Sequence, residues 1–198
     1  MANKPESAAQ VQHQAMPSEN TMHQLNWSEI REALTSAIRD ALPLEVQKTA
    51  GDRISGIGLE VDAFYGSASL YLLPESAARD LSPEERDNLG DWPISTWESE
   101  SDYAPAFAAH WGVWETWFYD HVDDFDDDES VAKGRALLQA GCEAMQAIES
   151  EGLLDSLPQS EGFKIIIADH DEPRHLSLER YELFVKTGTI KGEWNEAY

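Results

Sequence analysis

The sequence predicts an α+β fold: a small antiparallel sheet, made of an early hairpin and a later strand, packed against several helices. Three observations carry that expectation. Ile57, Leu59 and Val61 alternate with Gly58 and Glu60, and Leu70 and Leu72 repeat the alternation after Gly66, as in a half-buried hairpin. Apolar residues recur at spacings of three or four in three other stretches, the period of an amphipathic helix. FKIIIAD, 163–169, is a short Ile-rich run of the kind a buried strand needs.

The elements follow in order. Residues 1–24 are rich in Gln, Ala, Ser, Asn and Pro without periodicity, which predicts a disordered leader ahead of a single domain over 25–198. Asn26 followed by Glu29 resembles a helix cap, and Ile30, Ala33, Leu34, Ala37, Ile38, Ala41 and Leu42 form one stripe behind it. Pro43 is expected to close that helix. After the hairpin, Ser82-Pro83-Glu84-Glu85 reads as a capped short helix. Residues 92–98 suit an edge strand, because Pro93 cannot donate to a central ladder. Phe107, Trp111, Trp114, Phe118 and Val122 give a second long helix over 104–122, with Trp117 broadening its face. Val131, Leu138, Cys142, Met145 and Ile148 give a third over 128–150. FKIIIAD is expected to be a central strand, and 177–186 a last helix of ambiguous period.

The chain has 198 residues, 41% of them hydrophobic and 10% aromatic, enough for a core in one domain. Its formal charge of −24 argues against binding nucleic acid or an anionic membrane, since both depend on Lys and Arg. Basic proteins are the natural partners of such a surface. The single cysteine, Cys142, allows no internal disulfide, and its mid-helix place on an apolar face marks a buried small hydrophobe. The N-terminal residues have no apolar core of the signal-peptide kind, and no apolar run approaches the roughly 20 residues of a spanning helix. A cytoplasmic location is the expectation.

GIGLEVDAFYGSASLYL and FKIIIADHDEPRHLSLER, with the aromatic helix between them, resemble the bacterial domain-of-unknown-function family numbered 4303 over residues 27–190. The resemblance implies a small α+β protein with an early hairpin and a late strand followed by an Asp-rich turn. It implies no enzymatic activity and no catalytic residue. Some relatives of that family resemble immunity proteins that accompany bacterial toxins. The leader, the seven tryptophans and the acidity depart from the family's pattern.

A calcium loop starting at Asp124 would place Asp126 and Asp128 correctly, but Glu129 replaces the required Gly and Arg135 the bidentate Glu. The turn ADHDEPRH offers His170, Asp171 and His175, with Asp169 and Glu172, as ligand types for a metal-dependent enzyme, though in no standard ligand spacing. His110 and His121 lie eleven residues apart, too far along one helix to share an ion. No nucleophile elbow or phosphate-binding loop is present.

HVDDFDDDES, 121–130, holds six acids, and from Asp87 to Ala132 there are thirteen acids and no Lys or Arg. Asp126, Asp127, Asp128 and Glu129 would open the third helix, where negative charge complements the dipole, but one or two suffice for that. The excess predicts a recognition surface, with Asp120, Asp123, Asp124, Asp126 and Asp127 as partner-binding residues and Trp117 as the aromatic anchor. The expected function is therefore a non-enzymatic acidic protein-binding module without a cofactor. It would be an immunity protein occluding the active or substrate-binding surface of a basic bacterial toxin. A nucleic-acid mimic that inhibits a DNA-binding protein is a close variant, and the metal-dependent enzyme is the alternative.

Overall fold

The computed structural model describes residues 25–99, 102–121 and 127–190. The expected leader lies outside them, as do Val122, Asp123, Asp124 and Asp126. Helix α1, Trp27–Lys48, is followed by the hairpin β1, Ile54–Val61, and β2, Ala68–Pro74. Two short helices, α2, Glu75–Asp80, and α3, Pro83–Arg86, lead through a 3-10 turn, Leu89–Asp91, to strand β3, Ile94–Ser95. A small separate ribbon, β4, Trp97–Ser99, and β5, Asp102–Tyr103, precedes helices α4, Pro105–Asp120, and α5, Asp127–Ser150. Strand β6, Gln159–Asp169, and helix α6, Arg174–Thr187, complete the described fold.

The architecture is the α+β class that the periodicities predict. The main sheet has the order β3-β2-β1-β6, so β1 is central. β2 is antiparallel to both β1 and β3, whereas β6 runs parallel to β1, with Leu59 opposite Ile167. FKIIIAD is thus a border strand of the described sheet, not a central one. Its apolar character arises because helices cover both faces there, so that Ile167 enters one cluster and Ile166 another. The parallel pairing makes the sheet mixed, and the helices between β2 and β6 supply the long crossover it requires.

The larger core lies between one sheet face and α1, α4 and α5: Ile57, Leu59, Leu70, Leu72 and Ile167 meet Leu34, Ile38, Phe107, Trp111, Leu138 and Met145. The other face carries a smaller cluster of Leu73, Ile166, Leu89 and Trp92. Gly56 and Gly58 make that cluster possible, since a Cβ on Gly58 would lie 2.3 Å from the Leu89 side chain and one on Gly56 2.6 Å from Trp92. The alternation of glycine with Ile57 and Leu59 therefore marks a close approach, not an open face.

Two helix ends differ from expectation. Pro43 does not close α1, which continues for five residues to Lys48. Its ring is exposed, while the buried Leu42 and Glu45 keep this part of the helix docked. α6 begins at Arg174, three residues before the expected start, and its buried stripe is Ser177, Arg180, Tyr181 and Phe184. That stripe has helical spacing, but two of its four members are polar, which hides the period. Asn26 caps α1 by accepting from the Ser28 amide at 3.2 Å, and Ser82 with Glu85 forms a reciprocal capping box on α3.

Candidate functional site

The hairpin tip, residues 62–67, is built around Asp62. Its Oδ1 accepts from the amides of Phe64 at 2.9 Å and Tyr65 at 2.8 Å, while its carbonyl accepts from the Gly66 amide at 2.7 Å. A hairpin tip of this kind projects from the packed core toward the surface. Phe64 and Tyr65 are accordingly 43% and 46% exposed, packed edge to face with centroids 4.9 Å apart. Tyr119, 66% exposed at the end of α4, joins them with its ring 6.2 Å from Tyr65.

The tip is fixed from below. The Trp111 indole N–H donates to the Gly66 carbonyl at 3.2 Å, and the Lys133 ammonium donates to the Phe64 carbonyl at 3.0 Å. That ammonium also sits 5.7 Å and 5.8 Å from the Phe64 and Phe118 ring centroids. Burial lowers the Lys133 pKa below its ordinary value, and the charge of Asp62 opposes the shift.

The expected partner-binding residues divide around this patch. Asp120 is exposed at the last position of α4, directly after Tyr119. Asp127 begins α5, while Asp123, Asp124 and Asp126 lie outside the described residues. Trp117 is half-buried, stacked on His121 at 4.5 Å and set edge-on to Phe118 at 5.4 Å. Trp111 is buried and Trp114 half-buried, so the aromatic that α4 presents to solvent is Tyr119. An Asp followed shortly by Phe-Tyr-Gly inside a hairpin was the signal for the patch, because it places large rings at a tip.

A polar pocket of about 320 Å³ opens on the second sheet face, at the carboxyl ends of the parallel pair β1 and β6. Glu60, Asp62, Ser67, Ser69, Tyr71, Trp97 and His170 line it. Glu60 Oε1 lies 3.3 Å from both the Tyr71 hydroxyl, which donates to it, and His170 Nδ1. Burial lowers the His170 pKa, but its contact with Glu60 and the charges of Asp171 and Asp62 outweigh this and hold it above the ordinary value. Burial with the nearby Glu60 carboxylate makes the Tyr71 hydroxyl a weaker acid than usual.

His170, Asp171 and His175 do not converge. His170 turns to Glu60, Asp171 is exposed, and His175 is exposed in the first turn of α6. Among the described residues no three His, Cys, Asp or Glu side chains are grouped to hold a metal ion. Glu172 instead binds Arg180 through both carboxylate oxygens, inside the protein. His110 pairs with Asp40 of α1 at 2.8 Å. Burial pushes the Cys142 thiol up to about 12, which makes it inert as a nucleophile. No described helix is long and apolar enough to cross a membrane.

Asp169, next to this turn, is 4% exposed, and its Oδ2 has no hydrogen-bond partner. Burial raises its pKa to about 6. The folded protein therefore keeps a proton that the unfolded chain releases near pH 4, so this group destabilises the fold increasingly as pH rises from 4 through 6. Asp169→Asn should raise stability at pH 7.5 by about 2 kcal/mol, with a gain about 1 kcal/mol smaller at pH 5. Thermal melts at the two pH values test this; an equal effect at both would show that Asp169 is not charged at the cost of the fold.

Comparison with protein-family models, curated proteins and solved structures finds no match for the chain.

Proposed function

We propose that this protein is an acidic protein-binding module of the immunity type, which neutralises a basic bacterial toxin by covering its active or substrate-binding surface. The observation that carries this reading is the patch of Phe64, Tyr65 and Tyr119, exposed on a braced tip and flanked by Asp62 and Asp120. Aromatic rings ringed by polar groups are the usual composition of an interface hot spot. The formal charge of −24 would steer a cationic partner toward it. Kinship with family 4303, resting on the order of hairpin, aromatic helix and late strand, belongs to the same proposal. The reading uses no catalytic residue and no cofactor, and it places the protein in the cytoplasm. A toxin whose own substrate is nucleic acid would make the carboxylates of 120–129 stand-ins for phosphates.

The test is binding to, and protection from, the basic toxin with which the protein is co-produced. Tyr65→Ala with Tyr119→Ala should weaken affinity at least about 30-fold, chiefly through faster dissociation, since each anchor contributes about 1–2 kcal/mol. Asp123, Asp124, Asp126 and Asp127 changed together to Asn should instead slow association, and added salt should mimic that loss. A folded double tyrosine variant that binds and protects like the parent would refute the patch as the interface.

A further inference from the structure

We propose that the pocket at the carboxyl ends of β1 and β6 is a receptor for a single guanidinium group. The inference stands on that pocket alone and does not need the aromatic patch to be an interface. Two carboxylates, Glu60 and Asp62, lie in one small cavity with two aromatic residues, Tyr71 and Trp97. Carboxylate with aromatic wall is the chemistry that holds an organic cation, because the ring face and the anion both attract positive charge.

The hydrogen-bonding pattern narrows the cation. Both contacts to Glu60 use Oε1, which leaves Oε2 without a partner among the described residues. Ser69 is only 6% exposed, lines the cavity, and its hydroxyl has no hydrogen-bond partner among the described residues. That hydroxyl opens onto the cavity, where a donor from a ligand can reach it. Ser67 adds a further hydroxyl on the same wall. A planar fork of five N–H donors meets several such acceptors at once, whereas an ammonium presents three donors from one point. The volume of about 320 Å³ accommodates a guanidinium on its alkyl stem. The position also agrees with where open sheets bind ligands, just beyond the carboxyl ends of parallel strands.

The site could be filled by an arginine side chain of a protein or by a free guanidinium compound, and the experiment separates the two. The full-length protein is titrated with N-acetyl-arginine amide, with agmatine, and with N-acetyl-citrulline amide, the neutral isostere. Resonances of the Trp97 indole and the His170 ring report occupancy. Both cations should give saturable shifts at these residues, with the citrulline compound at least about tenfold weaker. Glu60→Gln should weaken the arginine compound by about tenfold or more. If Glu60→Gln does not fold, Ser69→Ala serves in its place, with a loss of about threefold or more. Agmatine binding tenfold more tightly than the capped arginine indicates a free small cation; equal or weaker binding indicates a protein side chain. Citrulline matching arginine, a variant titrating like the parent, or no saturation at Trp97 and His170 would overturn the assignment.

Discussion

Arg180→Met will cost this fold about 3–5 kcal/mol, a large part of the roughly 5–15 kcal/mol that holds a domain of this size together. The side chains of Arg180 and Glu172 are 3% and 4% exposed. The guanidinium grips both oxygens of the Glu172 carboxylate and donates to the Ile167 carbonyl at 2.7 Å, tying α6 to β6. Glu172 in turn accepts from the Asp169 amide at 3.1 Å and the Ser177 hydroxyl at 2.7 Å. Methionine fills much of the arginine's volume, so the loss comes mainly from the charge and carbonyl it abandons. Glu172 would be left as an unpaired anion in a low dielectric, beside the buried Asp169.

That origin sets the control. Glu172→Gln added to Arg180→Met removes the stranded charge and keeps an acceptor for Asp169 and Ser177, so the double variant should be more stable than the single one. Denaturant melts of the three proteins give the comparison. A double variant less stable than Arg180→Met, or a single cost under about 1 kcal/mol, would show that the pair is not the clamp described.

The same pair shows where the sequence stops being legible. Helical stripes at Ile30–Leu42 and Phe107–Phe118, and the alternation through Ile57–Val61, are written in apolar periods, and each became the expected element. A buried Arg180 or Ser177 breaks such a period, because its burial is tolerated only through Glu172, which the turn before α6 folds inward to meet it. The parallel placement of β6 is equally silent, since a strand's direction relative to β1 depends on the crossover and not on its own residues. The acids of 120–129 could be seen to exceed what a helix start needs, yet their aromatic companions came from elsewhere. Tyr65, with Phe64 packed on it, reaches Tyr119 only after the hairpin folds over α4. The pocket likewise joins the β1–β2 hairpin to Trp97 of β4 and to His170 after β6, segments that no local pattern connects.

Gly66→Ala should lower stability by about 2–5 kcal/mol and the thermal midpoint by about 10 °C. Two independent causes add. Gly66 has φ of +74°, where an L side chain crowds its own backbone at a cost of about 1–2 kcal/mol. The new Cβ would also lie 2.3 Å from Cβ and Cγ of Phe118, a ring buried in the main core, which adds about 1–3 kcal/mol of overpacking. Gly51→Ala separates the two terms, because φ there is +85° but nothing lies within 4 Å. It should cost only the backbone part, about 1–2 kcal/mol. Relief cannot come from moving Phe118 alone, since Trp117 and Trp111 pack against it and Trp111 also holds the Gly66 carbonyl. The tip must therefore lift, carrying Phe64 and Tyr65 away from Tyr119, so partner binding should fall even at temperatures where the variant stays folded. Equal melting temperatures for Gly66→Ala and Gly51→Ala would show that the tip does not rest on Phe118, and the rigid aromatic patch would lose its foundation.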